Sequence, residues 1–133
     1  MGKREILFRG WNEKNKKWIY GYYFVNRGVH FISPDGFANP LDSYEDYVVE
    51  ADTVGQYTGL KDAKGVKIFE GDIIRGRGYE YAIRYDEKNA CFVAVSLKYY
   101  LSSNRIYKNW LNAHEMVIIR NVHGKLEHIK TER

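Results

Sequence analysis

The chain has 133 residues, 44% hydrophobic and 29% charged, with one cysteine and a formal net charge of +4. That length and balance suit a single domain over residues 1–133 with a real core. They exclude a disulfide framework or a Cys-rich metal site, and no apolar run is long enough for a signal peptide or a membrane span.

Two-residue alternation recurs along the chain and helical periodicity is scarce, so strands are expected throughout. Glu5 to Trp11 reads as a strand, Asn12 to Lys17 as a polar connection, and Trp18 to Val25 as the partner strand. Asn26-Arg27-Gly28 is a turn signal before a short third strand, Val29 to Ser33. Pro34 to Asp52 holds both prolines and six acids, and no Lys or Arg occurs between Gly28 and Lys61. It reads as a long solvated connection with at most one short strand, Tyr47 to Glu50.

Val54 to Leu60 and Val66 to Phe69 read as strands around a turn at Asp62-Ala63-Lys64-Gly65, where Gly65 suits the end of a type I turn. Glu70-Gly71-Asp72 then breaks the alternation before Ile73-Ile74, as a bulge or a barrel corner does. Gly76-Arg77-Gly78 is a tight junction, and Tyr79 to Tyr85 with Ala90 to Leu97 is a strong hairpin pattern. Ser102-Ser103-Asn104 suits the cap of a short helix over Arg105 to Leu111. Met116 to Val122 is a last strand, turned by His123-Gly124-Lys125 into Leu126 to Ile129. The fold expected is mainly β: a small SH3-like, partly open barrel core with an N-terminal hairpin, a long acidic loop and at most one short helix.

Chemical motifs are sparse. Cys91 lies in an apolar run and reads as a buried structural thiol. His30, His114, His123 and His128 have no metal-ligand spacing, and phosphate-binding loops and nucleophile elbows are absent. Glu70 and Asp72 could present two carboxylates on one side of a strand, but turn chemistry alone accounts for Asp72. No metal or cofactor is expected, and no enzyme. Basic residues interleave with aromatics twice. Arg9, Lys16 and Lys17 stand near Trp11 and Trp18, and Arg75, Arg77 and Arg84 among Tyr79, Tyr81 and Tyr85. Such sets suit either a charged face over a Tyr-rich sheet or a single-strand nucleic-acid surface, where bases stack and cations meet phosphates. The net charge permits a nucleic-acid partner without requiring one. The separation of the basic hairpin from the acidic loop also suits pairing between subunits, and Tyr and Trp suit protein interfaces.

Three stretches resemble the YopX family. The first is Arg4-Glu5-Ile6-Leu7-Phe8-Arg9-Gly10-Trp11, continuing through Lys17. The second and most specific is Gln56-Tyr57-Thr58-Gly59-Leu60-Lys61-Asp62, with Gly65 and then Ile68-Phe69-Glu70-Gly71-Asp72-Ile73. The third, looser, is Met116 to Val122, where the family often has Gly just before the Asn and this chain has Arg120. The resemblance implies a small β-rich phage or prophage protein that assembles into homo-oligomers, and it brings no catalytic residues. The expected role is a non-enzymatic accessory protein in the bacterial cytoplasm, binding protein partners from phage or host and no membrane. The alternative is a nucleic-acid-binding small-barrel module.

Overall fold

A computed structural model describes residues 3–34, 44–99 and 103–125. The protein is mainly β, with one α-helix among the described residues. The chain forms two compact units. One runs to Gln56 and takes in Lys125; the other covers Tyr57–Gly124.

The first unit is an antiparallel sheet of order β3-β2-β1-β4, from β1 (Phe8–Asn12), β2 (Lys17–Asn26), β3 (Val29–Ser33) and the start of β4 (Gly55–Lys61). Its register pairs Trp11 with Trp18 and Gly10 with Ile19 across β1 and β2, and Arg9 with Gly55 across β1 and β4. The β2–β3 hairpin closes through Arg27-Gly28, both at positive φ, which is the type I′ geometry that matches strand twist. Ile19, Ile32 and Val49 form the core, flanked by Phe8, Tyr23 and Val54. Gly10 makes this packing possible, because a Cβ there would lie 2.7 Å from that of Val49.

The acidic connection departs from the solvated loop expected. Residues 35–43 lie outside the described residues. The rest forms 3-10 turns at Tyr44–Tyr47 and Ala51–Thr53, joined by a single bridge from Val48 to Phe31 where a short strand was expected. It is held by backbone bonds from Val49 N to His30 O and from Glu50 N to Trp11 O, both 2.9 Å. Satisfying buried backbone groups in this way ties a segment down that composition alone marks as loose.

In the second unit the remainder of β4 pairs with β5 (Lys67–Phe69). An open antiparallel sheet of order β10-β6-β7-β8-β9 accompanies this hairpin. Its strands are β6 (Asp72–Gly76), β7 (Tyr79–Asp86), β8 (Cys91–Ser96), β9 (Ser103–Arg105) and β10 (Val117–Asn121). Among the described residues it closes into no barrel, since β9 and β10 are its free edges. Ile68, Ile74, Ile83, Ala94, Ile106, Leu111 and Met116 form the core on one face. The helix α1 (Lys108–Ala113) starts later than expected, with Tyr107 at its N-cap and no side-chain cap. Ser103-Asn104-Arg105 is not its cap but β9, paired with Val93-Ala94-Val95. Edge pairing there uses the backbone groups that a helix start would have needed. Leu126 to Ile129, expected as a final strand, lies outside the described residues.

Candidate functional site

The basic, aromatic N-terminal hairpin turns its recognition-like residues inward. Arg9 is fully buried, and Trp11 and Trp18 are buried with it. The Arg9 guanidinium lies 4.4 Å from the centre of the Trp18 ring, and the two indoles meet edge to face at 5.5 Å. Trp11 Nε1 donates to Glu13 Oε2 at 2.8 Å and Trp18 Nε1 to the Lys125 carbonyl at 3.2 Å. Lys125 Nζ lies 3.3 Å from Glu50 Oε1. These rings are committed to packing and cation–π contact within the unit, and none of Arg9, Trp11 and Trp18 is exposed. Lys16 and Lys17 are exposed, and Lys16 pairs with Glu13.

Acid and base meet within one chain. Lys14 Nζ lies 3.0 Å from Asp46 Oδ1 and 3.7 Å from Glu45 Oε2. Asn15 Nδ2 donates to Asp46 Oδ1 at 3.0 Å. Asn12 Nδ2 donates to the carbonyls of Glu45 (3.0 Å) and Val48 (2.8 Å). The hydrogen bond from Asn15, with help from Lys14, holds the Asp46 carboxyl below its usual range. The Lys14 ammonium is raised, first by its bond to Asp46. The basic turn and the described part of the acidic segment thus satisfy each other in cis.

The segment Gln56 to Asp72 is a set of backbone devices. Gln56 pairs with Phe8 and Tyr57 with Phe69. The β4–β5 register shifts between Tyr57 and Lys61, and Gly59 sits in this bulge at φ +88°, a value only Gly adopts freely. Thr58 Oγ1 donates to Ile68 O at 2.9 Å and accepts from Leu60 N at 3.2 Å, fixing the bulge on both sides. Asp62 is buried and accepts three amides: Lys64 N and Val66 N at 2.9 Å on Oδ1, and Ile118 N at 3.0 Å on Oδ2. It therefore builds the turn that Gly65 completes and ties that turn to β10. Glu70-Gly71 is a corner between β5 and β6, locked by Gly71 N to Ile83 O (2.9 Å) and Val122 N to Gly71 O (2.8 Å). Asp72 is fully buried, with Oδ2 accepting from Phe69 N at 2.8 Å. That bond engages one of the two carboxylates of the Glu70 and Asp72 pair inside the corner.

Arg75 is exposed on β6, 4.0 Å from Glu80. Arg77 occupies the β6–β7 turn at φ +52°. Its guanidinium donates to the Ala113 carbonyl at 2.9 Å, at the end of α1. That anchor offsets a backbone conformation that costs a non-glycine residue about 1 kcal/mol, and gives Arg77 a structural task.

The surface that sequence reasoning missed lies on the β2–β3 hairpin. Tyr22, Phe24, Val25, Val29 and the neighbouring Tyr44 are exposed; Tyr22 keeps 60% of its area open. Phe24 stacks on Phe31 at 5.1 Å, and Phe31 meets Tyr44 edge to face at 6.2 Å. The signal was present in the unbroken run Trp18 to Val25, which is apolar at both parities and so too rich for a one-sided sheet.

Among the other reactive groups, Cys91 is half-buried rather than buried. The Tyr23 hydroxyl lies 2.7 Å from His30 Nδ1, and His114 Nδ1 lies 3.0 Å from the Trp110 carbonyl. His128 lies outside the described residues. Among the described residues no three His, Cys, Asp or Glu side chains gather as a metal site would require, and no helix is long and apolar enough to cross a membrane. No curated protein matches the sequence. A family model described as YopX protein matches residues 7–129, taking in the buried hairpin, the Asp62 turn and the Gly71 corner, and the chain belongs to the YopX family.

Proposed function

We propose that this protein works without catalysis, as a phage or prophage accessory protein that acts in the bacterial cytoplasm by binding protein and assembling with copies of itself. The supporting observation is the exposed apolar side of the β2–β3 hairpin, where Tyr22 and Phe24 stand open beside the neighbouring Tyr44. Exposed aromatic side chains supply contact area at low entropy cost. The cis pairing of Lys14 with Asp46 already satisfies part of the acid–base complementarity within one chain, which supports reading this hairpin as the assembly surface.

Light scattering over a range of concentrations tests the reading. The parent chain is expected to grow in mass with concentration. Tyr22→Asp/Phe24→Asp is expected to stay monomeric with its fold intact, because an exposed pair contributes little to a single chain. A parent that is monomeric at every concentration sinks the proposal.

A further inference from the structure

The register of the second unit places four arginines on one face of its five-stranded sheet. Arg84 pairs with Val93, and Val93 with Arg105, so Arg84 and Arg105 project from the same side, one strand apart. Arg75 pairs with Glu80, which shares the parity of Arg84 on β7. Arg120 pairs with Ile73, which shares the parity of Arg75 on β6. Arg120 reaches this face only because the register shifts between Ile118 and Arg120. Without that bulge Ile119 would oppose Ile73 and Arg120 would point to the core side. Re-aiming a side chain is what such bulges do. The position is also the one where Arg120 replaces the Gly expected from the family pattern.

All four arginines are exposed, the core cluster packs on the opposite face through Ile74, Ile83 and Ala94, and Ile73, Ala82 and Val93, on the arginine face between the guanidinium-bearing positions, are buried. Glu80 is shared by Arg120 at 2.9 Å and Arg75 at 4.0 Å, so one carboxylate answers two guanidiniums. Asp86 lies at the far end of the face, but its carboxylate is occupied by the turn, accepting from Lys88 N at 3.0 Å and Asn89 Nδ2 at 2.8 Å. No ion pair among the described residues reaches Arg84 or Arg105. The five strands contain these four arginines and no lysine.

We propose that this face, through Arg75, Arg84, Arg105 and Arg120, binds single-stranded nucleic acid. Spacing argues for a chain rather than a compact anion. Arg84 and Arg105 stand about 10 Å apart across two strand spacings, and Glu80 lies about 13 Å along β7 from Arg84. A small anion meets one pair at a time, whereas a phosphodiester chain meets both. The exclusive use of arginine favours nucleic acid over an acidic protein. Guanidinium planes grip phosphate through two N–H bonds and also stack on bases, which carboxylate side chains do not offer. The sheet face inserts no element into a duplex groove, so unpaired strands fit it better. The site uses none of the residues that the sequence pattern singled out at Arg9, Trp11 and Trp18.

Fluorescence anisotropy on the full chain tests it, with labelled oligothymidylate, oligouridylate, a DNA duplex and polyglutamate as probes at low salt. Either single strand is expected to bind best, and the DNA and RNA arms show which sugar is preferred. The slope of log affinity against log salt should be about −2 to −3 for three or four phosphates. Arg84→Ala/Arg105→Ala, and separately Arg75→Ala/Arg120→Ala, are each expected to weaken binding tenfold or more with melting temperature unchanged. Arg27→Ala, at the β2–β3 turn, should leave it unchanged. The proposal is overturned by no binding at low salt, by a duplex or polyglutamate binding as well as the single strands, or by equal losses from Arg27→Ala and the sheet variants. The two pairs of variants keep the test decisive if one of them misfolds.

Discussion

Arg9 on β1 and Arg84 on β7 occupy similar strands. Each sits among aromatics, with Phe8 and Trp11 beside the first and Tyr81 and Tyr85 near the second, and each strand has a paired neighbour on both sides. Yet Arg9 is fully buried and Arg84 exposed. The difference lies in what covers each face. On β1, Thr53 Oγ1 accepts from Trp11 N at 2.9 Å, and the Lys125 ammonium lies 6.0 Å from the centre of the Trp11 ring, while Val49 packs on Gly10 from the other side. On β7 the core claims the face of Ile83, and the arginine takes the other. Interleaved cations and aromatics therefore do not by themselves mark a binding surface. Whether a cation among aromatics is exposed depends on which face of its strand the rest of the chain packs against.

The largest expected effect comes from testing that contrast directly. Arg9→Ala removes a buried cation stacked on Trp18 and should cost about 4 kcal/mol in urea denaturation. Arg84→Ala should stay within about 0.5 kcal/mol. Similar losses for the two would break the comparison.

A second test moves from cations to carboxylates. Asp62→Ala strands three amides, including Ile118 N across to β10, and should cost about 3 kcal/mol. Asp86→Ala, at an exposed turn, should cost well under half of that in the same assay.

The smallest effect concerns pH. Asp46 is lowered from 3.8 by the Asn15 hydrogen bond and by Lys14, and Asp86 from 3.8 mainly by Asn89. A depressed carboxyl contributes stability above its unfolded value and loses it as pH falls through the folded one. Melting temperature followed downward from 3.8 should thus decline slightly more steeply in the parent than in Asp46→Asn. Both groups are exposed, so a large gap between parent and variant would contradict this picture.

Much of the fold was legible because local rules act alone there. The Tyr79–Asp86 and Cys91–Ser96 hairpin announces itself by alternation around an Asp-initiated turn. The break at Gly71 is readable because apolar runs rarely cross Gly-Asp without a corner. Nearby, Gly59 concealed a second bulge, since a lone Gly in a strand pattern does not say which partner it shifts against. The helix start was misplaced because Ser103-Asn104 suits a cap as well as an edge strand, and only the pairing with β8 decides. The arginine face was hidden for a related reason. Arg75, Arg84, Arg105 and Arg120 lie far apart in sequence, and their common side depends on register and on one bulge.

The single cysteine gains a practical meaning from the same register. Cys91 pairs with Asp86 and shares the parity of Val93 on β8, which places its half-buried sulfur on the arginine side of the sheet. The sequence carries one thiol, and it lies at the margin of that face. A spin label or small fluorophore attached there would report on occupancy of the face without a designed mutation.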